Sequence, residues 1–299
     1  MNKLLDTNLE HLWTTDQWTY IRKNIGEWQG AFIQFSPSAA WVSSTSSVLT
    51  LEEDRPGEHM TLVLKRTSPG KPTHTMERDL GYPGAAPYIC FFPTGAFSQG
   101  AMQRRPWSSF GSEFSLLADN QRRRLVQLYS GTASGDHTLD YVTLIPEHRS
   151  GAVGIHQTSS TPAVIDVDDM TTRLGLETVR GRWQGTGLIL SANMESPQLK
   201  TIQWQARCDG GDLMVLEDGQ EQRFVAIDSH RWQGLESAVQ FWLLPGDVSC
   251  TVYPQLPRQH GARLEFCWYL SAQQRQRIVR EYGADGGWGS TSLMVETRV

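Results

Sequence analysis

The sequence predicts an all-β protein in which one antiparallel unit occurs twice. Two motifs recur in the same order. Residues 26–30 read Gly-Glu-Trp-Gln-Gly and 181–185 read Gly-Arg-Trp-Gln-Gly, while the arginine-rich run 120–129 returns at 273–282. Solenoid repeats have much shorter periods, so this spacing indicates a duplicated domain. Short apolar runs separated by turn residues are typical of an antiparallel sandwich or barrel.

The first copy opens with a predicted helix at residues 5–23, where apolar residues recur at helical intervals. Its predicted strands are 31–35, 47–51, 60–65, 87–92, 110–118, 122–129 and 140–145. Residues 151–170, rich in Ser, Thr and Asp, form the predicted linker. The domain boundaries are therefore 1–150, 151–170 and 171–299.

The second copy shows the same strand texture and no further convincing helix. Its predicted strands are 187–191, 199–206, 213–216, 223–227, 239–244, 263–270, 275–282 and 291–295. Because an isolated antiparallel sheet leaves exposed edges, we expect each copy to close into a barrel.

Composition limits the classes of function. A chain of 299 residues with 39% hydrophobic and 20% charged residues is typical of a soluble globular protein. The net charge of −5 gives no reason to expect nucleic acid as a partner. No apolar run reaches membrane-spanning length, and the four cysteines lack Cys-x-x-Cys spacing. We predict a cytoplasmic protein without a membrane span.

Gly-x-Trp at the start of a strand resembles the lipocalin, or calycin, signature, in which the Trp plugs one end of a barrel. The run 91–100 and residues 113–129 resemble a family of unknown function from cyanobacteria and plastid-bearing organisms. This resemblance implies two tandem lipocalin-like antiparallel β-barrels with an N-terminal helix. It also implies a structural role for Trp28 and Trp183.

The Asn-x-Arg-x-Arg run at 120–124 is similar to a strand of the S-type and T-type phycobiliprotein lyases. Those proteins are single calycin barrels that deliver a bilin to a cysteine of an antenna protein. This chain differs in being doubled, and residues 245–250 replace the Gly-Ala-Phe-Ser-Gln-Gly stretch in the second copy. The resemblance implies a bilin or similar pigment as ligand, and a phycobiliprotein or another protein as acceptor.

Arg122 and Arg124 share one face of a strand, and so do Arg275 and Arg277. If that face lines the barrel, each pair would bind ligand carboxylates by bidentate hydrogen bonds. Carboxylates that would balance this charge lie on the preceding strands: Glu113 and Glu265. Alternatively, an arginine packs on the first-strand Trp and closes the barrel end by a cation–π contact. Both interpretations remain open.

Other predicted ligand contacts combine aromatic and polar side chains near these strands: Phe97, Ser98, Gln99, Trp107 and Tyr129. The histidines do not pair at metal-ligand spacing, and the chain lacks a nucleophile elbow, a phosphate loop and a dinucleotide fingerprint. We therefore predict no metal and no cofactor.

Three functions remain. The first is a binding or carrier protein for an apolar, carboxylate-bearing small molecule such as a tetrapyrrole, bilin or carotenoid-like pigment. The second is an enzyme on such a ligand, either a bilin lyase or an isomerase or cyclase. The third is a structural or assembly factor whose barrels are filled by their own side chains.

Overall fold

The computed structural model describes residues 17–82, 89–150, 175–193 and 197–299, whose regular secondary structure is almost entirely β-strand. The helices are α1 (Gln17–Ile21), which continues as a 3-10 helix (Arg22–Asn24), and α2 (Leu176–Val179). The remainder of the predicted helix, 5–16, and the predicted linker lie outside the described residues. Among the described residues, neither helix is long or apolar enough to cross a membrane. Helix α2 was not predicted, because a single turn has no periodicity to detect.

The first copy forms one curled antiparallel sheet. Its strands are β1 (Gly26–Phe35), β2 (Trp41–Arg55), β3 (His59–Thr67), β4 (His74–Gly81), β5 (Ile89–Phe91), β6 (Phe97–Gly100), β7 (Phe110–Ala118), β8 (Gln121–Gly131) and β9 (His137–Arg149). They are arranged in the order β4-β3-β2-β1-β9-β8-β7-β6-β5. Strands β1 and β9 therefore meet, as in an up-and-down barrel.

The first copy differs from the predicted closed barrel at one boundary. Strands β4 and β5 do not pair with each other in the described part of the chain. We call this boundary the seam, and the concave interior of β1–β9 the N-terminal cup. The seam arises because β5 has only three residues and β4 is exposed over almost its whole length.

The second copy closes completely. Its strands are β10 (Gly181–Ser191), β11 (Gln198–Asp209), β12 (Asp212–Glu217), β13 (Gln220–Ala226), β14 (Arg231–Gly234), β15 (Gln240–Leu244), β16 (Val248–Val252), β17 (Gln255–Leu256), β18 (Ala262–Ser271), β19 (Gln274–Tyr282) and β20 (Trp288–Arg298). The first and last strands, β10 and β20, pair and close the second barrel. Strand β17 leaves it and pairs with β9 of the first sheet. The predicted all-β fold class is confirmed.

The repeated Gly-x-Trp-x-Gly motif has a backbone cause. The first glycines, Gly26 and Gly181, have φ angles of 124° and 127°, which side chains rarely adopt. A Cβ atom on Gly30 or Gly185 would lie 2.3 or 2.0 Å from a carbonyl oxygen of the neighbouring strand. Each motif therefore requires glycine on both sides of its tryptophan.

The largest apolar core lies between the two halves. It joins outward-facing residues of the first sheet, such as Ile33 and Phe114, to those of the second barrel, such as Trp242 and Phe266. Two glutamine side chains cross this interface. Gln127 Nε2 donates to Thr251 O at 2.9 Å, and Gln276 Nε2 donates to Leu117 O at 3.0 Å. The strands of the interface are consequently buried on both faces.

We expect the two halves to unfold together, because they share this core. Phe114 is fully buried and its ring lies 6.5 Å from that of Phe266. Phe114→Ala should lower the free energy of unfolding by about 3–5 kcal/mol in one transition. Urea unfolding followed by circular dichroism and by tryptophan fluorescence would measure this. The control, Val225→Ala at an exposed position, should change it by less than about 0.5 kcal/mol. Two separate transitions, only one of them shifted, would contradict the expectation.

Candidate functional site

The plug tryptophan of the first copy is held between two arginines. Trp28 is fully buried, and its Nε1 donates to Asn24 O at 2.9 Å. The guanidinium carbons of Arg122 and Arg149 lie 4.3 and 4.5 Å from the centre of its ring. These distances correspond to the cation–π arrangement considered from the sequence.

The second copy repeats this arrangement. Trp183 Nε1 donates to Val179 O at 3.2 Å. Arg275 and Arg298 lie 4.5 and 4.8 Å from its ring centre. The repetition indicates that these contacts belong to the fold, because both copies close one end in the same way.

A charged network is buried beside Trp28. Arg122 Nε lies 2.7 Å from Glu147 Oε2, and Arg124 binds both oxygens of Glu147 at 2.9 Å. Arg124 Nη1 also binds Glu113 Oε1 at 2.8 Å, and Gln99 donates a hydrogen bond to Glu113. Two guanidinium groups thus face two carboxylates, and the network carries no net charge.

The pKa shifts follow from this pairing. Burial alone would raise the pKa of Glu147, but the charges of Arg122 and Arg124 lower it below its usual value. Burial lowers the pKa of Arg122, whereas Glu147 and Glu113 outweigh burial and raise the pKa of Arg124. The opposite charges therefore stabilise the ionised forms of Glu147 and Arg124.

The second barrel contains an equivalent network with one more carboxylate. Arg275 and Arg277 bind Glu296 at 2.9 and 3.2 Å. Arg277 also binds Glu265 at 3.0 Å and Glu217 at 2.7 Å. Burial would raise the pKa of Glu217, but Arg277 and a second arginine, Arg263, lower it to about 2.

Sequence reasoning missed the two carboxylates at the centre of these networks. Glu147 and Glu296 occur in a repeated Glu-x-Arg sequence whose arginines are Arg149 and Arg298. Each motif supplies the shared carboxylate and the second arginine of the tryptophan sandwich. This third repeat was the available signal, although its short length made it easy to overlook.

A cavity of about 280 Å³ occupies the N-terminal cup. Its walls are mostly aliphatic and aromatic, with polar groups from β4, β6, β7 and β8. The lining residues are Ile21, Asn24, Phe32, Leu49, Leu51, Leu62, Leu64, Met76, Arg78, Leu80, Ile89, Phe91, Phe97, Gln99, Glu113, Arg122, Arg124, Val126 and Ile145. The lining reaches both sides of the seam, because β4 and β5 each contribute residues.

The structure brings some predicted contacts together at this cavity and separates others. Phe97 and Gln99 line it, together with Glu113, Arg122 and Arg124. Their counterparts in the second barrel, Glu265, Arg275 and Arg277, are buried in the ion network described above.

Three predicted ligand contacts lie outside the cavity. Ser98 alternates with Phe97 along β6 and therefore points out of the cup. Tyr129 lies in the core between the halves, where its hydroxyl donates to Gln127 Oε1 at 2.8 Å. Trp107 is 77% exposed on a loop.

Two other depressions differ in chemistry. One of about 330 Å³ in the second barrel is bordered by aromatic residues but also by Glu217, Glu265 and Glu281, which bind Arg263. A groove of about 730 Å³ along β10 and β11 has glutamine side chains on its walls. Of the three, only the cup cavity has predominantly aliphatic walls. Within the described ranges, no three His, Cys, Asp or Glu side chains are grouped as metal ligands.

Family comparisons divide the chain in two. Residues 14–152 match the family model of the N-terminal DUF3598 domain, a domain of unknown function. The first half is therefore similar to this domain family. Residues 170–299 match the family model of the C-terminal domain of biogenesis factor required for ATP synthase 1. A solved DUF3598 protein from Nostoc punctiforme, a cyanobacterium, also matches this chain. The predicted resemblance to a cyanobacterial family of unknown function is therefore confirmed.

That Nostoc protein, whose function is unknown, is 28% identical, with a TM-score of 0.80. The match covers 96% of this chain and 100% of the Nostoc chain. An S-type phycobiliprotein lyase from Guillardia theta is 7% identical, covers 98% of each chain and has a TM-score of 0.19. Kievitone hydratase from Nectria haematococca is 5% identical, with a TM-score of 0.20. That match covers 93% of this chain and 90% of the hydratase chain.

The last two TM-scores are too low to support an inference about this chain. No curated protein matches it. The function therefore has to be argued from the geometry of the cup.

The shared carboxylate should be essential for stability. Glu147→Gln leaves Arg122 and Arg124 buried with one carboxylate instead of two, so the free energy of unfolding should fall by about 3–5 kcal/mol. Chemical denaturation at neutral pH would measure the loss. Glu221→Gln is the matched control, because Glu221 pairs with Arg223 on the surface. Its effect should stay below about 1 kcal/mol, and an equal loss in the two variants would count against a structural role for the network.

Proposed function

We propose that the N-terminal cup of this chain binds a compact apolar molecule that carries a carboxylate, and that the second barrel serves as a scaffold. The observation that carries this proposal is a difference between the two copies. At three equivalent strand positions the cup has a smaller side chain than the second barrel, whereas Phe32 and Leu51 are larger than their counterparts Gly187 and Ala206. The cup retains a cavity with mostly aliphatic walls, and the depression in the second barrel is bordered by paired carboxylates.

The strand registers identify these positions. Trp28 is opposite Leu49 in the first copy, whereas Trp183 is opposite Trp204 in the second. Trp204 is buried and packs on Arg275, with 4.0 Å between the guanidinium carbon and the ring centre. An indole thus fills the second barrel where the cup has the smaller leucine.

Two further positions show the same difference. Arg122 is opposite Leu117, while the equivalent Arg275 is opposite Tyr269, whose ring packs on Trp183. By the same register, the cup has Gly111 where the second barrel has Arg263. In each case the second barrel has gained side-chain volume that the cup lacks.

Charge supports an anionic ligand. Three cations border the cup cavity or its ion network, namely Arg78, Arg122 and Arg124, against the carboxylates Glu113 and Glu147. The interior therefore has one positive charge in excess, which a ligand carboxylate would neutralise. The aliphatic walls require the rest of that ligand to be apolar.

The cavity volume favours a compact ligand. Drug-sized molecules usually occupy about 300–1,000 Å³, and the cup encloses about 280 Å³. A single alkyl chain or one or two rings suits this volume better than a four-ring bilin or a carotenoid. Delivery to a phycobiliprotein or another acceptor, and the cytoplasmic location, remain predictions.

Binding is favoured over catalysis by the state of the ionisable groups. Both carboxylates of the cup, Glu113 and Glu147, are held in ion pairs. A general acid or base needs a proton that it can exchange with the substrate, and both carboxylates are instead engaged by arginines of the network. The lyase, isomerase and cyclase alternatives therefore receive less support than a carrier.

Exchanging the register-equivalent residues tests the proposal. Leu49→Trp should fill the cup and weaken binding of decanoic acid at least about tenfold, with the fold retained. Titration calorimetry and displacement of the neutral dye N-phenyl-1-naphthylamine would measure this, with phycocyanobilin titrated alongside. Trp204→Leu is the matched control. It should keep decanoic acid affinity and lower the free energy of unfolding by about 1–3 kcal/mol. Unchanged binding in Leu49→Trp would refute the proposed site.

A second candidate is an assembly factor, favoured by the name of the domain family that the second half matches. Its distinguishing test uses the same variant. Cells lacking the chain should accumulate less assembled ATP synthase, and Leu49→Trp should restore it if the cup is not involved. If cells that lack the chain assemble ATP synthase normally, this candidate is refuted.

A further inference from the structure

The cup presents three arginines to its cavity, but they differ in what already neutralises them. Arg122 and Arg124 share Glu147, and Arg124 also binds Glu113. A ligand carboxylate placed there would have to displace one of these protein carboxylates or be buried beside them. Both alternatives cost free energy, because like charges repel strongly in a buried site.

One nitrogen of this network, Arg122 Nη2, has no hydrogen-bond partner among the described residues. It does not mark a ligand position, because Arg275 Nη2 also lacks a partner in the second barrel. There Trp204 and Tyr269 surround the guanidinium group, at 4.0 and 5.7 Å from their ring centres. The unpaired nitrogen therefore accompanies stacking on the aromatic plug in both copies.

Arg78 is different in position and in pairing. It lies on β4 between Met76 and Leu80, all three on the strand face that lines the cavity. No carboxylate lies within 4.0 Å of its guanidinium group in the described part of the chain. It is also exposed, because β4 borders the seam.

The second copy supplies a reference residue for this position. Leu62 pairs with Arg78 in the first sheet, and the equivalent Val215 pairs with Gln222 in the second barrel. A neutral amide thus occupies this place in the second barrel, whose depression is bordered by paired carboxylates. The cation is specific to the copy whose cavity has mostly aliphatic walls.

Resting on the proposed function, we infer that Arg78 binds the carboxylate of the ligand at the seam. The apolar body then lies inward against Leu51, Leu62 and Phe91, and the carboxylate faces solvent between β4 and β5. Arg78 is accordingly the residue that distinguishes an acid from a neutral ligand of the same shape. The charged end stays accessible to an acceptor while the ligand is bound.

A matched pair of probes tests this assignment: decanoic acid and 1-decanol, titrated against the full chain. The unaltered protein should bind the acid about fivefold more tightly than the alcohol, the upper range for an exposed ion pair. Arg78→Gln, which installs the residue of the second copy, should remove that difference and leave the alcohol's affinity unchanged.

Arg66→Gln is the control variant. Arg66 lies on the neighbouring strand β3, where its guanidinium carbon is 5.3 Å from the ring centre of Phe32, and it does not line the cavity. This variant should keep the preference for the acid. Raising salt from about 0.01 M to about 1 M shortens the screening length from about 30 Å to about 3 Å. Higher salt should therefore weaken binding of the acid and leave binding of the alcohol unchanged.

The outcomes separate the two proposals. If both probes bind and Arg78→Gln keeps the acid preference, the buried arginines recognise the carboxylate and the assignment to Arg78 is wrong. If acid and alcohol bind equally to the unaltered protein, the cup is an apolar site and the assignment again fails. If neither probe binds, the proposed function fails and this inference fails with it.

Discussion

The burial of two arginines beside each plug tryptophan is the constraint on which the structure depends. Moving a guanidinium group out of water costs free energy unless an opposite charge binds it. Glu147 and Glu296 supply that charge by binding two arginines each. One arginine of each pair, Arg122 or Arg275, also stacks on Trp28 or Trp183, and the indole nitrogens bond to the helical turn before the first strand. One cluster thus connects the helical turn, the first strand and the last two strands of each copy. Because these arginines are already neutralised within the fold, we assign ligand recognition to another residue, Arg78.

Sharing a core makes the two halves structurally dependent while leaving their interiors free to differ. The outward faces of β7, β8, β18 and β19 form the joint core and its polar crossings, which lie outside the two interiors. The interiors carry a smaller part of the apolar packing. This division explains how Leu49 and Trp204 occupy equivalent places without disturbing the common architecture. One copy has a mostly aliphatic cavity, and the depression of the other is bordered by carboxylates.

Sequence patterns predicted the strands well where burial makes apolar residues stand out from their polar neighbours. Every predicted run overlaps an observed strand. Strand β4 was missed because His74–Gly81 is exposed almost throughout and lacks the apolar alternation of a half-buried strand. The short β6, β14, β16 and β17 were missed because two to five residues give little periodicity. The predicted ligand contacts divided in the same way. Residues on the inner face reached the cavity, whereas Ser98 and Tyr129 fell on the opposite face.

The sequence by itself determined the duplication, the all-β class and the glycine-flanked tryptophans, because these depend on local backbone geometry and on motifs that recur. It also determined that Arg122 and Arg124 share a face, since strand side chains alternate with a period of two. Only the tertiary structure decided which face is interior, because β1, β8 and β9 are buried on both sides and polarity does not distinguish them. It also decided that the arginines are neutralised by Glu147, which is distant in sequence, and that the seam leaves Arg78 beside the cavity. Those outcomes depend on long-range strand pairing, which local patterns do not specify.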